Sequence, residues 1–379
     1  MTASSLLALL SLAIWLALLL GRGFFWRTRE RDDRNEPPEP GTWPSVAAVV
    51  PARNEAELIA RSVGSLLAQD YPGRFRVILV DDQSGDGTGA AALALGNERL
   101  TVLNGAAHPA GWTGKLFAVH QGVTRANAEN PPDYLWLTDA DIAHAPDNLR
   151  RLVARAEANK FVLVSLMAKL NCESFAERFL VPAFVFFFDM LFPFAWANDP
   201  KKRTAAAAGG CMLVGREALA RAGGIEAVRG EIIDDCALAR RLKAQGPIWL
   251  GLTERAARLR PYPHIADIRA MVSRSAYAQL GYSPLVLAGT VFGMALLYIV
   301  PLAGLAMSGL AALFGAFALA VMAVMFQPML RLYRLSPFWG LALPAIGVFY
   351  AAFTIDSAVQ HWRGRGGMWK GRAQAIAPT

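Results

Sequence analysis

The sequence predicts an α/β protein: a mostly parallel sheet with helices on both faces, flanked at both ends by segments apolar enough to cross a membrane. Three observations carry this. Between residues 45 and 260, short β-rich runs alternate with helical patterns, as expected of strands joined by crossover helices. The polar motifs follow strand-like runs, so a parallel sheet brings them to one edge. The hydrophobic content of 54% over 379 residues exceeds the roughly 45–50% of soluble domains, and the excess is concentrated in a few runs.

Residues 5–20 are almost wholly apolar and, extended by 21–26, reach the about 20 residues of a span. No Lys or Arg precedes them, while Arg22, Arg27, Arg29, Arg31 and Arg34 follow. The positive-inside rule then puts the following chain in the cytosol; a cleaved signal peptide is the alternative. Residues 1–26 are therefore expected as a transmembrane anchor and 27–44, charged and Pro-rich, as a linker.

A β run at 46–50 leads into P-A-R-N-E (51–55) and a helical pattern on Leu58, Ile59, Val63, Leu66 and Leu67. A second strand at 76–80 runs into D-D-Q-S-G-D-G-T (81–88), then a helix from 90; a third strand covers 100–103. G-W-T-G-K (111–115) opens another helix. The apolar run Tyr134–Leu137 is ended by Thr138, Asp139 and Asp141. Two hard carboxylates two residues apart suit Mg²⁺ or Mn²⁺ completed by water and substrate phosphates, though Asp is also common in turns. Further strands are expected at 161–170, 209–214 and 248–252, with E-I-I-D-D-C-A-L (231–238) leading into a helix. Residues 179–197 are aromatic and apolar but contain Asp189, Pro182 and Pro193. A crossing here would split one sheet across the membrane, so an interfacial or re-entrant segment is expected, with a buried core helix as the alternative.

Residues 261–284 form a juxtamembrane stretch, and 285–307, 310–330 and 338–358 are long enough to span. Arg331 and Arg334 follow the second of these; Arg363, Arg365, Lys370 and Arg372, in the basic tail 359–379, follow the third. Both clusters ask to be cytosolic, yet one crossing separates them. Pro344 and Asp356 leave open that 338–358 enters and returns.

Net charge is 38 − 30 = +8. Its clusters at 22–34, 201–203 and 363–372 lie beside apolar runs, which reads as membrane orientation and anionic lipid. No nucleic-acid-binding motif is present. Cys172, Cys211 and Cys236 are odd in number and widely spaced, which fits buried reduced thiols rather than a disulfide framework or zinc site.

Four acidic clusters thus follow strands in order: Glu55, Asp81/Asp82, Asp139/Asp141 and Asp234/Asp235. Each alone is an ordinary cap or loop residue; the ordered set suits a nucleotide-diphosphate and metal site. Over roughly 45–260 the set, V-V-P-A-R-N-E, V-D-D-Q-S-G-D-G-T, G-W-T-G-K, T-D-A-D and D-D-C-A-L, resembles the family 2 glycosyltransferases of GT-A fold. G-W-T-G-K, the aromatic segment and W-K-G-R (369–372) look like the hopanoid-associated membrane members; enzymes that glucosylate ceramide look similar around 111–115.

The resemblance implies roles. Asp82 contacts the nucleobase, with Pro51, Arg53 and Glu55 in the same nucleotide-sugar-binding stretch; Lys115 and Asp139 sit at the nucleotide; Asp141, with Asp139, holds the metal. Asp235 is the catalytic base, and Asp234 stands where the family usually has Glu. Of the Q-x-x-R-W element of processive synthases only Arg274 remains. It pairs with the leaving diphosphate or serves as a juxtamembrane anchor. The expected protein is a multi-pass enzyme of the bacterial inner membrane with a cytosolic catalytic domain. It moves a sugar from a nucleotide-diphospho-sugar to a lipid hydroxyl with inversion, in hopanoid or related glycolipid biosynthesis. The rivals are a processive polysaccharide synthase and an inactive scaffold of the same fold.

Overall fold

The computed structural model describes residues 2–128, 130–369 and 372–373. The chain forms two units. The first, the helix unit, comprises residues up to Arg29, Cys172–Ala195 and Tyr262–Gly367. The second, the sheet unit, comprises Glu30–Asn171, Trp196–Pro261 and the described residues from Met368 on. Lys370 lies outside the described residues.

The sheet unit is built on eight strands: β1 (Val46–Ala52), β2 (Phe75–Asp81), β3 (Leu100–Asn104), β4 (Tyr134–Leu137), β5 (Ile142–His144), β6 (Leu163–Lys169), β7 (Met212–Gly215) and β8 (Ile248–Arg258). Their order is β3-β2-β1-β4-β7-β6-β8-β5. β1 is buried along its whole length, as expected of a central strand covered on both faces. Its Pro51 falls beyond the β4 pairing, which ends at Val49↔Leu137, so no ladder bond on that side lacks its donor. The sheet is parallel through β3-β2-β1-β4 and from β6 to β8. It turns antiparallel where β7 enters between β4 and β6 and where β5 closes the edge on β8. Two apolar clusters cover it. One centres on Trp136, Ile59, Leu66 and Leu79, the other on Leu135, Val49, Leu116 and Leu242.

β5 and the long continuation of β8 past residue 252 were not visible in the sequence: I-A-H is too short to show alternation. The expected linker also differs at its start. The Asp32 N–H donates to the Leu252 carbonyl at 3.1 Å, and the Asp32 carboxylate accepts from Thr253 Oγ1 and Arg255. Residues 30–32 are therefore docked along β8 as part of the sheet unit.

Among the described residues, four stretches of the helix unit are long and apolar enough to cross a membrane: Ala3–Gly21, Pro284–Leu305, Leu310–Leu332 and Pro337–Trp362. The last is a 3-10 turn, Pro337–Ala342, followed by one continuous helix, Leu343–Trp362, with Pro344 in its first turn. It runs in one direction, not in and back, because Pro344 sits where a missing N–H costs nothing. The aromatic segment is the helix Phe175–Leu191, started by a Ser174/Glu177 capping box. Leu180, Val181, Val185 and Phe186 are fully buried in it, so within this unit it packs as a core helix. None of the three cysteines is in a disulfide; Cys211 and Cys236 are buried and Cys172 is half-buried.

Candidate active site

The loops after β1, β2 and β4 and the start of the helix Asp234–Lys243 meet at one edge of the sheet unit. Pro51, Lys115, Thr138, Asp139, Gly209, Asp234 and Asp235 line a pocket there. Lys115 is its electrostatic centre. Its Nζ lies 2.9 Å from Asp139 Oδ1 and 3.3 Å from Asp234 Oδ2. Burial alone would lower this ammonium, but Asp139, Asp234 and Asp235 outweigh it and hold it charged well above the usual lysine range.

Asp235 Oδ2 accepts from the Gly209 N–H at 3.0 Å, and Oδ1 from the Cys236 N–H at 2.7 Å. A Cβ at Gly209 would stand 3.4 Å from Lys115 Nζ and 3.5 Å from Asp235 Oδ2, ordinary van der Waals contact, so the backbone here lies directly against both groups. The sequence suggests an Asp235 stabilised as an anion by its helix start. The structure gives the opposite shift. Burial, then the neighbouring Asp234 charge, push it up to about 6, against the pull of Lys115 and the two N–H groups. A carboxylate so placed is mostly ionised at neutral pH and is a stronger base than an exposed one.

The D-D-Q-S-G-D-G-T motif divides its labour. Asp81 accepts from the Ser84 and Gly89 N–H groups, and Asp86 from Ala56 N–H and Thr88; both shape the loop. Asp82 is 1% exposed, and Arg53 Nη1 reaches its carbonyl and lies 3.7 Å from its carboxylate. The Glu55 N–H donates to Thr88 Oγ1 at 2.8 Å, and its carboxylate pairs with Arg260. Asp141 is buried and pairs with Arg258, Nη2 to Oδ2 2.9 Å. Burial raises its pKa, Arg258 opposes this, and Asp139 and Glu55 add to it.

A neutral histidine fixes the loop between β4 and β5. Burial lowers His144 to about 3. The Asn148 amide donates to its Nδ1, leaving Nε2 facing Thr138 Oγ1 at 2.9 Å, and Thr138 donates on to the Gly210 carbonyl. Arg258, Arg260, Gly209 and His144 escaped the sequence reading. The one available signal was R-L-R at 258–260, whose period of two puts both guanidinium groups on one side of an extended chain. The structure gathers Pro51, Arg53, Glu55, Asp82, Lys115, Asp139, Asp141, Asp234 and Asp235 in the sheet unit. Arg274 belongs to the helix unit, where it is the C-cap residue of the helix Ile265–Ser273.

Among the described residues no three His, Cys, Asp or Glu side chains form a ready metal cage. The donors nevertheless fit a divalent ion of the kind that takes one or two carboxylates and substrate phosphates. Asp139 and Asp141 offer hard oxygens, and the crowding of Asp141 by Asp139 and Glu55 favours added positive charge.

Residues 47–223 match the model of Glycosyl transferase family 2. A curated relative, the Succinoglycan biosynthesis protein ExoO of Rhizobium meliloti (strain 1021), is 34% identical over 124 residues. That match covers 32% of this chain and 32% of the relative, so it spans about a third of its length. Among solved structures, the mannosyltransferase PcManGT from Pyrobaculum calidifontis, in complex with GDP-Man and Mn²⁺, superposes with a TM-score of 0.53 at 19% identity. The superposition covers 94% of this chain and 99% of that one, a likeness of fold.

Proposed function

We propose that this chain, whose residues 47–223 form a family 2 glycosyltransferase domain, is a membrane-bound inverting glycosyltransferase. It moves a sugar from a nucleotide-diphospho-sugar to a lipid hydroxyl. The observation that carries this is Asp235, a carboxylate with pKa about 6 facing the same pocket as Lys115 and Asp139. The acceptor hydroxyl gives its proton to Asp235 as its oxygen attacks the anomeric carbon and the nucleoside diphosphate leaves from the opposite face. Lys115 supplies fixed positive charge beside the departing group. Asp82, with Arg53 and Glu55, holds the nucleoside end. A divalent ion held by Asp141 and Asp139 would neutralise diphosphate charge when bound; PcManGT carries Mn²⁺ with GDP-Man.

Four apolar helices long enough to span support a lipid acceptor and a multi-pass location. The arginines after the first apolar helix support a cytosolic sheet unit in the inner membrane, where a reporter fused near residue 270 reads as cytoplasmic. The hopanoid-associated assignment rests on G-W-T-G-K and the aromatic helix. The likeness to a succinoglycan biosynthesis protein favours a second reading, assembly of a polysaccharide. Lipid profiling of a strain lacking the protein, beside one carrying Asp235→Asn, tests both. A glycolipid missing from both strains names the acceptor. Loss of a polymer with lipids intact selects the second reading, and no change in either product sinks the activity.

A further inference from the structure

Arg258 stands where a cation on Asp141 has to act. β5 pairs antiparallel with β8, and Ile142 lies opposite Arg258, so the backbone sets this guanidinium beside the residue before Ile142. The Leu259 N–H donates to the Asp141 carbonyl at 2.7 Å, fixing the carboxylate's origin, while Nη2 lies 2.9 Å from its Oδ2. Each carboxylate of the D-x-D pair is thus met by a protein cation, Asp139 by Lys115 and Asp141 by Arg258.

We propose, resting on the family 2 reading above, that Arg258 is an exchangeable counter-ion. It holds Asp141 in the donor-free site, yields that carboxylate to a divalent cation, and turns to the diphosphate arriving with it. The need for a placeholder is physical. Asp141 is 7% exposed and crowded by Asp139 and Glu55, and a buried carboxylate without a positive partner is strongly unfavourable. A guanidinium suits both partners, because its fork matches carboxylate and phosphate oxygens alike. The Arg258 side chain keeps 24% of its surface exposed, so one of its faces is open to solvent. The consequence is coupling. Metal alone must displace Arg258 and binds weakly; metal with a nucleoside diphosphate gives the displaced guanidinium a new partner and binds more tightly.

The test is Mn²⁺ binding to the full chain in detergent, followed by electron paramagnetic resonance of free Mn²⁺ and by calorimetry, alone and with GDP or UDP. Arg258→Gln is expected to bind Mn²⁺ alone at least about tenfold more tightly than wild type, since a like charge beside the ion is gone, and to lose most of the gain from added diphosphate. Arg258→Lys, which keeps a cation beside Asp141 and guards against misfolding of the Gln variant, is expected to bind metal alone as wild type does. Equal metal-alone affinity in the Gln variant and wild type overturns the exchange and leaves the glycosyltransferase reading standing. Absence of Mn²⁺ binding in every state also overturns it, together with the metal role of Asp141. Intact exchange with no product change in the lipid profiles overturns the activity alone.

Discussion

In the sheet unit the large apolar side chains are inside: Leu135, Trp136, Ile59 and Leu66 have no exposed surface. In the helix unit they are on both sides. Trp15, Phe186 and Phe326 are buried, yet Leu285 is 84% exposed and Phe292 69%. The sheet unit obeys water, and its buried charges have partners. The outward-facing residues of the helix unit suit lipid, where burying an apolar side chain gains little because the surroundings are equally apolar. What is left to hold such helices together is close packing. A Cβ on Gly315 would stand 2.5 Å from the Pro301 carbonyl, and one on Gly347 2.4 Å from the Tyr298 ring. Trp15 Nε1 also donates across helices to the Leu297 carbonyl at 3.1 Å.

The largest expected effect is on chemistry and belongs to the sheet unit alone. Asp235→Asn should lower the initial rate of sugar transfer by about 10²–10⁴-fold, the usual contribution of a general base. Asn retains an acceptor for one of the two N–H groups now bound, so thermal melting and donor binding should stay near wild type. A variant with normal rates would make Asp235 structural and turn attention to Asp234.

The next effect separates the two units by their surroundings. Leu135→Ala, in the sheet core, should cost about 2–5 kcal/mol, read from denaturant unfolding of the detergent-solubilised chain. Leu313→Ala, on a half-exposed face of Leu310–Leu332, should stay within about 0.5 kcal/mol. An equal loss at both sites would mean that the outward face of the helices is covered by protein. Packing, in contrast, should not distinguish the units. Gly122→Ala meets Val49 Cγ1 at 2.4 Å in one, and Gly347→Ala meets the Tyr298 ring at 2.4 Å in the other. Both should cost about 1–3 kcal/mol, the helix-unit variant being read from its melting in detergent. A neutral Gly347→Ala would show that Tyr298 has room to move.

The comparison also explains what was legible in the sequence. Strands β1, β2 and β4 are short apolar runs ended by polar motifs, and the spans are long apolar runs; composition and period reveal both. Asp139 was legible because it follows the strand β4; Asp234 and Asp235 follow no strand in the fold but open the helix that the pattern at 231–238 announces. The partners of the acids were not legible. Arg258 and Arg260 reach Asp141 and Glu55 only through the pairing of β5 with β8, a contact between residues more than a hundred positions apart. The Gly209 N–H on Asp235 is a backbone group that no side-chain pattern announces. The direction of the Asp235 shift was missed for the same reason: a helix start is local, whereas enclosure and the Asp234 charge are properties of the folded pocket.

The smallest effect tests that shift. Asp235 lies above the ordinary carboxylate range because of burial first and Asp234 second. A base must be unprotonated, so transfer should fall as pH drops through about 6, approaching a tenfold loss per pH unit below it. Asp234→Asn removes the neighbouring negative charge, which leaves burial and the pull of Lys115. Asp235 then ionises more easily, and the acid limb of the rate profile should move to lower pH. Stability responds to pH in the opposite sense from activity. A carboxyl whose native pKa lies above the unfolded value of about 3.9 holds its proton more tightly in the fold, so its contribution favours the native state at low pH and is lost as pH rises through about 6. Asp234→Asn should therefore weaken the acid-side stabilisation measured by melting between pH 4 and 7. An acid limb that stays in place while melting changes would assign the kinetic pKa to another group, and Asp235 would lose its place as the base.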